Sequence, residues 1–199
     1  NNILTSAELA SKKKRESAIK KEEERKKKAE ANAKLLRKLK TKKPDKQLRF
    51  IKIINSAKSK YKKADSDLTK GKILYDRTKA ICNLFSTNRA SDWKGTVHKI
   101  SINQDGWGVF SVQLDGDLYF STNSTAWEDY GRNTLISPGS SSFRAIMDLK
   151  RGDAINFSGS FFEEERDKGT CFSLFNLLLI DRVKIPTYEF RFTRVEKIN

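Results

Sequence analysis

The sequence is poor in the side chains that build metal sites and catalytic nucleophiles. Its 199 residues hold one histidine, His98, and two cysteines, Cys82 and Cys171. Two thiols and one imidazole do not complete a four-ligand zinc site unless carboxylates join them. His98 lies in no recognisable nucleophile motif, and no glycine-rich phosphate loop leads into a helix. We therefore expect a protein that is not an enzyme and that has no metal site and no cofactor.

Long apolar runs are also missing. No stretch approaches the roughly 20 apolar residues that a membrane-spanning helix needs. Because the sequence begins with Asn1, we expect a processed chain or a fragment, in which membrane attachment would come from residues before Asn1. The two cysteines leave the compartment open, since they fit either a disulfide or two free thiols of a cytoplasmic protein.

Positive charge is in excess, and it is unevenly spread. The range 1–89 contains 28 lysines and arginines against 10 aspartates and glutamates, whereas the range 90–199 contains 13 against 15. Such asymmetry is typical of a basic arm whose partner is a polyanion, either nucleic acid or an anionic membrane surface. The attraction therefore need not involve the second half of the chain.

Residues 1–43 form this basic arm. Strong helix formers dominate from Thr5 to Lys40, without glycine or proline, which predicts one long helix. The apolar positions do not repeat as heptads, so we expect a solvated single helix rather than a coiled coil. Two interpretations stay open, a phosphate- or lipid-binding arm and a spacer helix. The candidate contact residues in the arm are Lys12, Lys13, Lys14, Arg15, Lys26, Lys27 and Lys28.

Residues 44–88 are expected to form a helical pair after a break at Pro44. Apolar residues at three- and four-residue spacing predict the first helix. These residues are Leu48, Ile51, Ile54, Ala57, Tyr61, Ala64 and Leu68. Gly71 is expected to end or bend this helix. A shorter apolar stripe from Ile73 to Leu84 predicts the next helix, with the stem of Arg77 filling one apolar position.

Residues 89–199 have the composition of a β domain. The turns Asp105-Gly106 and Asp115-Gly116 predict two hairpins. Strands are predicted at Trp93–Ile102, Trp107–Leu114, Leu118–Thr122, Ala154–Phe162 and Phe172–Ile180, a helix at Ser141–Leu149, and an extra strand or a continuation of the fifth at Tyr188–Ile198. This order suits an OB barrel. The predicted fold class is α+β: a long basic helix and a helical pair, then a small five-stranded OB-type β-barrel.

Aromatic side chains of the barrel are candidates for stacking on bases. Trp107 is expected at a hairpin tip, Trp127 in a polar loop and Tyr119 on the third strand. The alternative is that these rings only anchor the core and the loops. Phosphate contacts on the barrel would come from Lys94, Lys99 and Arg132. The neighbouring carboxylates Glu128 and Asp129 are expected to be solvated.

Several segments resemble, in order, a known family. They are KAIC at Lys79–Cys82, SDWKGTV at Ser91–Val97, DGWGVFSVQL at Asp105–Leu114, TLISPGS at Thr134–Ser140, GDAINFSGSF at Gly152–Phe161, the second cysteine Cys171, and YEFRFTRV at Tyr188–Val195. The sequence is similar to uncharacterised bacterial OB-fold envelope proteins, some of them lipoproteins, to which nucleic-acid binding is ascribed. The likeness covers roughly residues 48–198. The basic arm is longer than that family needs, and the range 175–185 is more apolar.

The resemblance implies a Cys82–Cys171 disulfide and an oxidising compartment, the bacterial cell envelope or periplasm, with the cytoplasm as the alternative. The leading functional expectation is a non-enzymatic module that binds nucleic acid or another polyanion with little sequence preference. The alternative is a structural or adaptor protein of the cell envelope. In that case the barrel binds a protein or peptide partner, and the basic helix is a membrane-proximal stalk.

Overall fold

The structure is a computed structural model that describes residues 6–163, 171–176 and 178–198. The chain divides into two compact units, Asn1–Thr41 and Lys42–Asn199. In the described part of the chain, no helix combines the length and the apolar character that crossing a membrane requires.

The first unit contains one long helix, α1, Ser6–Lys42, and this helix was predicted from the sequence. Its 37 residues extend over about 55 Å at the rise of an α-helix. The side chains in the range 17–34 are all exposed, and the 3.6 Å ion pair between Glu22 and Arg25 is solvated as well. Over this range α1 has no buried face, as the missing apolar repeat indicated.

The second unit begins with two helices, α2, Asp45–Lys63, and α3, Asp67–Leu84. The predicted boundary between them was wrong. The Ser66 hydroxyl accepts a hydrogen bond from the Thr69 N–H at 3.2 Å and caps the start of α3. Gly71 therefore lies inside α3, and Leu68 is 88% exposed instead of extending the stripe of α2. A side-chain cap outweighs the accidental continuation of apolar spacing.

Five strands form a sheet that closes into a ring in the order β1-β2-β3-β5-β4. The strands are β1 Arg89–Ile102, β2 Gly108–Asp115, β3 Leu118–Ser121, β4 Ala154–Phe161 and β5 Thr187–Lys197, and the predicted short helix, α4 Ser141–Met147, lies between β3 and β4. Neighbours are antiparallel except β3 and β5, which are parallel. The ring closes through β1, because its first half pairs with β4 and its second half with β2.

Both predicted hairpin turns are confirmed. Gly106 has a φ of 82° and Gly116 a φ of 49°, a region that glycine adopts without strain. Asn103 organises the first turn, since its N–H donates to the Trp107 carbonyl and its side-chain oxygen accepts from the Trp107 N–H, both at 2.9 Å. The backbone of Trp107 is thereby fixed from both sides.

The predicted strand at Phe172–Ile180 is wrong. In the described residues, this segment makes one β-bridge, between Leu174 and Tyr188, and then enters helix α5, Leu179–Lys184. The fifth strand is β5, which was expected to be an extra strand or a continuation. It pairs with β4 over most of its length and buries its aromatic residues, whereas Leu178 remains 64% exposed.

Aromatic side chains fill the interior of the closed sheet and the end of the sheet that faces α2. Phe50 of α2 is fully buried, and its ring centre lies 5.4 Å from those of Trp93 and Tyr188. Phe120 and Phe190 stack inside the ring at 4.9 Å. Pairs of this kind contribute about 0.5–1.5 kcal/mol beyond the area they bury. The helix thus closes one end of the sheet through Phe50, a residue that the predicted stripe did not include.

Cys82 at the end of α3 forms a disulfide with Cys171, and their Cα atoms lie 5.5 Å apart. This confirms the pairing that the resemblance implied. The bond ties α3 to the segment that precedes β5. It is compatible with an oxidising environment outside the cytoplasm, such as the periplasm.

Candidate functional site

The connection between β3 and α4 presents two large aromatic side chains to solvent. We call residues 122–135 the aromatic loop. Within it, Trp127 and Tyr130 are each 89% exposed. Leaving an apolar side chain of this size in water forfeits about 1.5–3 kcal/mol of burial free energy. The loop must therefore be held in place by contacts other than those of its rings.

Asp129 holds the aromatic loop from the inside. Its carboxylate accepts hydrogen bonds from the N–H and the hydroxyl of Thr134, both at 2.6 Å, and from the Leu135 N–H at 3.0 Å. Its backbone carbonyl accepts from the N–H groups of Arg132 and Asn133 at 2.9 and 3.2 Å. The expectation that Asp129 is solvated was wrong, because a carboxylate with this many donors can be buried at low cost.

Asn123 joins the aromatic loop to β5. Its side-chain amide donates to the Asp129 carboxylate at 3.1 Å and to the Glu189 carboxylate at 2.8 Å. Glu189 is buried, and its other oxygen lies 3.8 Å from Nε of Arg132. The Asn123 amide therefore bridges the two carboxylates as a shared donor, and Arg132 offsets the charge of Glu189. These bonds fix the loop to the sheet.

Two arginines flank the base of the aromatic loop. The guanidinium carbons of Arg132 and Arg191 lie 5.3 and 5.1 Å from the centre of the Phe162 ring. Arg191 also donates to the carbonyls of Asn133, at 3.0 Å, and Arg132. Such cation–π contacts contribute about 0.5–1 kcal/mol at exposed sites. Both cations are half-buried and are held at the base of the loop that carries the exposed rings.

An exposed indole and an exposed phenol, on a loop with two guanidinium groups at its base, suit a flat and partly anionic ligand. Aromatic side chains stack on nucleobases, and guanidinium groups donate to phosphate oxygens. The exposed acid of the loop, Glu128, is engaged locally. Its carboxylate accepts from the N–H groups of Ser124 and Thr125, each at 3.2 Å.

Two of the predicted aromatic candidates lie outside the aromatic loop. Trp107 is 39% exposed, and the next residue, Gly108, forms a β-bridge with Ile136 just beyond the end of the loop. Tyr119 is half-buried, and its ring centre lies 4.5 Å from that of His98. Trp107 is therefore next to a residue that pairs with the chain just after the aromatic loop, whereas Tyr119 packs on the outer side of the sheet.

The imidazole next to Tyr119 is a weak base in this structure. Burial lowers the pKa of His98 below its usual value of 6.5, and the charges of Arg151 and Lys99 lower it further. The ring is therefore neutral at pH 7. It adds a flat, uncharged surface to the outer side of β1 rather than a cation for phosphate.

The predicted cations are dispersed. Lys94 is half-buried and donates to the Asn156 side chain, whereas Lys99 is exposed. On α1, Arg15, Lys26, Lys27 and Lys28 are exposed, and Lys12, Lys13 and Lys14 lie outside the described side chains. The structure brings Trp127 and Arg132 together in one loop and leaves the other candidates elsewhere in the second unit or on α1.

Sequence reasoning missed Tyr130, Glu189 and Arg191. The exposure of Tyr130 could have been predicted from a local signal. Tyr130 stands three residues after Trp127, in the same polar loop. Glu189 and Arg191 gave no local signal. They belong to this site only because β5 lies beside β3.

No protein-family model and no curated protein sequence matches this chain. Among the residues that the structure describes, no group of three or more His, Cys, Asp or Glu side chains is placed to hold a metal ion. The fold and the disulfide define a mixed α+β protein whose five-stranded sheet closes into a ring.

Proposed function

We propose that the protein is a non-enzymatic module that binds single-stranded nucleic acid, or a similar polyanion, through its aromatic loop and its basic helix α1. One observation carries this proposal. Trp127 and Tyr130 are exposed on a loop that the buried Asp129 fixes to the sheet. Preformed aromatic platforms of this kind stack on successive bases without reading their sequence, at about 1–3 kcal/mol per base.

The strand order supports an OB-type barrel as the scaffold. The ring β1-β2-β3-β5-β4, with α4 between β3 and β4, is the arrangement expected of a small five-stranded Greek-key barrel. Barrels of that type bind oligonucleotides over the face of β2 and β3 and over the β1–β2 and β4–β5 loops. The aromatic loop follows β3 directly, and Trp107 stands in the loop that leads into β2.

The two elements contribute different terms to the affinity. The lysines and arginines of α1 attract phosphates over a distance, and each neutralised phosphate of a single strand adds about 0.7 to the slope of log affinity against log salt. Stacking on Trp127 and Tyr130 depends little on salt. The rings belong to the second compact unit, and deleting the first unit removes 14 of the 28 lysines and arginines that precede residue 90. The contribution of α1 is therefore separable by deletion.

The test is fluorescence anisotropy with a labelled oligothymidylate of about 20 nucleotides, long enough for an OB site, over a range of salt. We expect log affinity of the full chain to fall linearly with log salt. Residues 42–199 alone should bind more weakly and with a shallower slope, since the cations of α1 are gone while those of α2 and α3 remain. If neither protein binds at about 150 mM salt, where non-specific polyanion binders still show micromolar affinity, the proposal is wrong.

We propose the cell envelope as the location, on the strength of the Cys82–Cys171 disulfide. The same observation favours the second candidate function, an envelope adaptor whose sheet binds a protein or peptide and whose helix α1 is a stalk. In that case the oligothymidylate would bind only at low salt, and the binding would depend on α1 alone.

A further inference from the structure

The groove between α2 and α3 is a second surface, independent of the aromatic loop. It forms an open cleft of about 550 Å³. Its apolar floor consists of Ile53, Ala57, Ile73, Ala80 and Leu84. From the first to the last floor residue of α3, the groove is about 16 Å long, or three helical turns. The alanines of the floor are too small to fill the space between the two helices.

One edge of the groove is cationic. Arg49, Lys52 and Lys60 of α2 line it, at spacings that keep side chains on one side of a helix. Lys52 and Lys60 have no ion pair with any residue that the structure describes, and Arg49 makes one exposed 3.8 Å contact with Asp45. The positive charge along this edge is therefore open to a partner.

The opposite wall does not cancel this charge. Its acidic residue, Asp76, is bound to Lys72 at 2.7 Å. Arg77 adds a buried cation, since its side chain is 6% exposed and its Nη1 donates to the Arg182 carbonyl at 2.7 Å. Nε of Arg77 finds no hydrogen-bond partner in the described part of the chain. The groove thus combines an apolar floor with an excess of cationic over acidic side chains.

We propose that the α2–α3 groove docks an amphipathic helix of an acidic partner protein. Such a helix inserts its apolar stripe into a groove of this kind, while carboxylates beside the stripe face Arg49, Lys52 and Lys60. The three cations are spread over three helical turns, so they match carboxylates that repeat along a helix. An acyl anion has a single head group and would contact the cations at only one end of the groove. The Lys-rich segment of this chain has the same sign as the groove edge, so the complementary helix belongs to another protein.

The experiment uses two synthetic helical peptides of about 14 residues, four turns, enough to span the groove. Both carry the same leucine stripe, flanked by glutamates in one and by lysines in the other. Each is titrated into the ¹⁵N-labelled full chain, and amide shifts are followed by NMR. We expect the acidic peptide to shift amides of α2 and α3, and the basic peptide to leave them unchanged. Localised shifts separate this site from adsorption on α1.

Charge variants give the matched control. Arg49→Glu/Lys52→Glu/Lys60→Glu should weaken the acidic peptide at least about tenfold, a loss of about 1.4 kcal/mol. Lys62→Glu/Lys63→Glu/Lys79→Glu removes three exposed cations of the same helices that do not line the groove, and it should change the affinity less than about twofold. Equal losses in both variants, or shifts confined to α1, would overturn the proposal. Titration with laurate gives one further outcome. If laurate shifts the amides of the groove and the acidic peptide does not, the groove binds acyl chains and the proposal is wrong.

Discussion

Asp129 accepts two hydrogen bonds from Thr134, one from its backbone N–H and one from its hydroxyl, and both are 2.6 Å long. This pair closes the segment that carries Trp127 and Tyr130. The rings can stay in water because the backbone beneath them is fixed by a buried carboxylate. These hydrogen bonds hold the loop in its conformation without a ligand, which reduces the entropic cost of binding.

Replacing Asp129 tests this support. In Asp129→Asn, the NH₂ group replaces either the oxygen that accepts from Thr134 and Asn123 or the oxygen that accepts from the Leu135 N–H, so at least one buried donor faces another donor. We expect the free energy of unfolding to fall by about 2–4 kcal/mol, because charge-assisted bonds are lost and buried donors lose their acceptor. Urea denaturation followed by circular dichroism measures the loss.

The neighbouring acid provides the control for that measurement. Glu128 is exposed and makes two weaker bonds of 3.2 Å. We expect Glu128→Gln to cost less than about 1 kcal/mol. Similar losses in the two variants would show that Asp129 does not hold the loop as described.

The disulfide should contribute substantially to stability. Cys82 and Cys171 are 89 residues apart in the sequence, and cross-linking a loop of that length restricts the unfolded chain by about 4–5 kcal/mol. Reduction, or Cys82→Ser/Cys171→Ser, should lower the melting temperature by many degrees. Intact mass before and after alkylation establishes the redox state. Two thiols alkylated without prior reduction, in protein purified under oxidising conditions, would contradict the bond.

Helix α1 should contribute little to the stability of the second unit. The side chains of the range 17–34 are exposed, and Asn1–Thr41 forms a compact unit of its own. Deleting residues 1–41 should therefore leave the melting temperature of the remainder nearly unchanged in calorimetry. A change of 1 kcal/mol moves a domain of this size by about 2–4 °C. A larger drop would show that α1 packs on a surface that stabilises the fold.

His98 should make the protein less stable in mild acid. Burial, with Arg151 and Lys99 beside it, lowers the folded pKa of His98 below 6.5. The unfolded chain therefore binds the proton more tightly, and the free energy of unfolding falls as the pH drops from about 6.5 toward the folded pKa, with no effect above that range.

An NMR titration measures the His98 pKa directly, since the sequence has one histidine. The midpoint should lie below 6.5. Between about pH 8 and about pH 5.5, on either side of the free imidazole pKa, wild type should lose more stability than His98→Gln. A midpoint at or above the usual value would refute the buried environment next to Tyr119.

The elements with strong local signals were predictable. Alternating strands joined by Asp105-Gly106 and Asp115-Gly116 gave the first three strands, and the Lys- and Glu-rich composition gave α1. The fifth strand was not predictable, because Phe172–Ile180 and β5 are both apolar enough to pair. Which of the two forms the strand depends on the pairing with β4, where Phe161 is opposite Phe190. That pairing joins distant parts of the chain, so no local sequence pattern indicates it.

The candidate site was predictable only in part. Exposure of Trp127 follows from its polar surroundings, so one stacking residue could be named. The network beneath it depends on Asn123 reaching Glu189, a contact across 66 residues that arises only when β3 and β5 lie side by side. The Ser66 cap of α3 was a local signal that the apolar spacing of Leu68 obscured.

The double variant Trp127→Ala/Tyr130→Ala tests whether the aromatic loop binds nucleic acid. The affinity of the full chain for oligothymidylate is measured in this variant and in wild type across a range of salt. We expect a loss of about 1–3 kcal/mol per stacked base that is the same at every salt concentration, with the salt slope unchanged. Tyr75→Ala removes a ring that is 61% exposed on α3 and should have no effect. An affinity that does not change in Trp127→Ala/Tyr130→Ala would show that cationic side chains bind the polyanion by charge alone, and that the aromatic loop is not a nucleic-acid site.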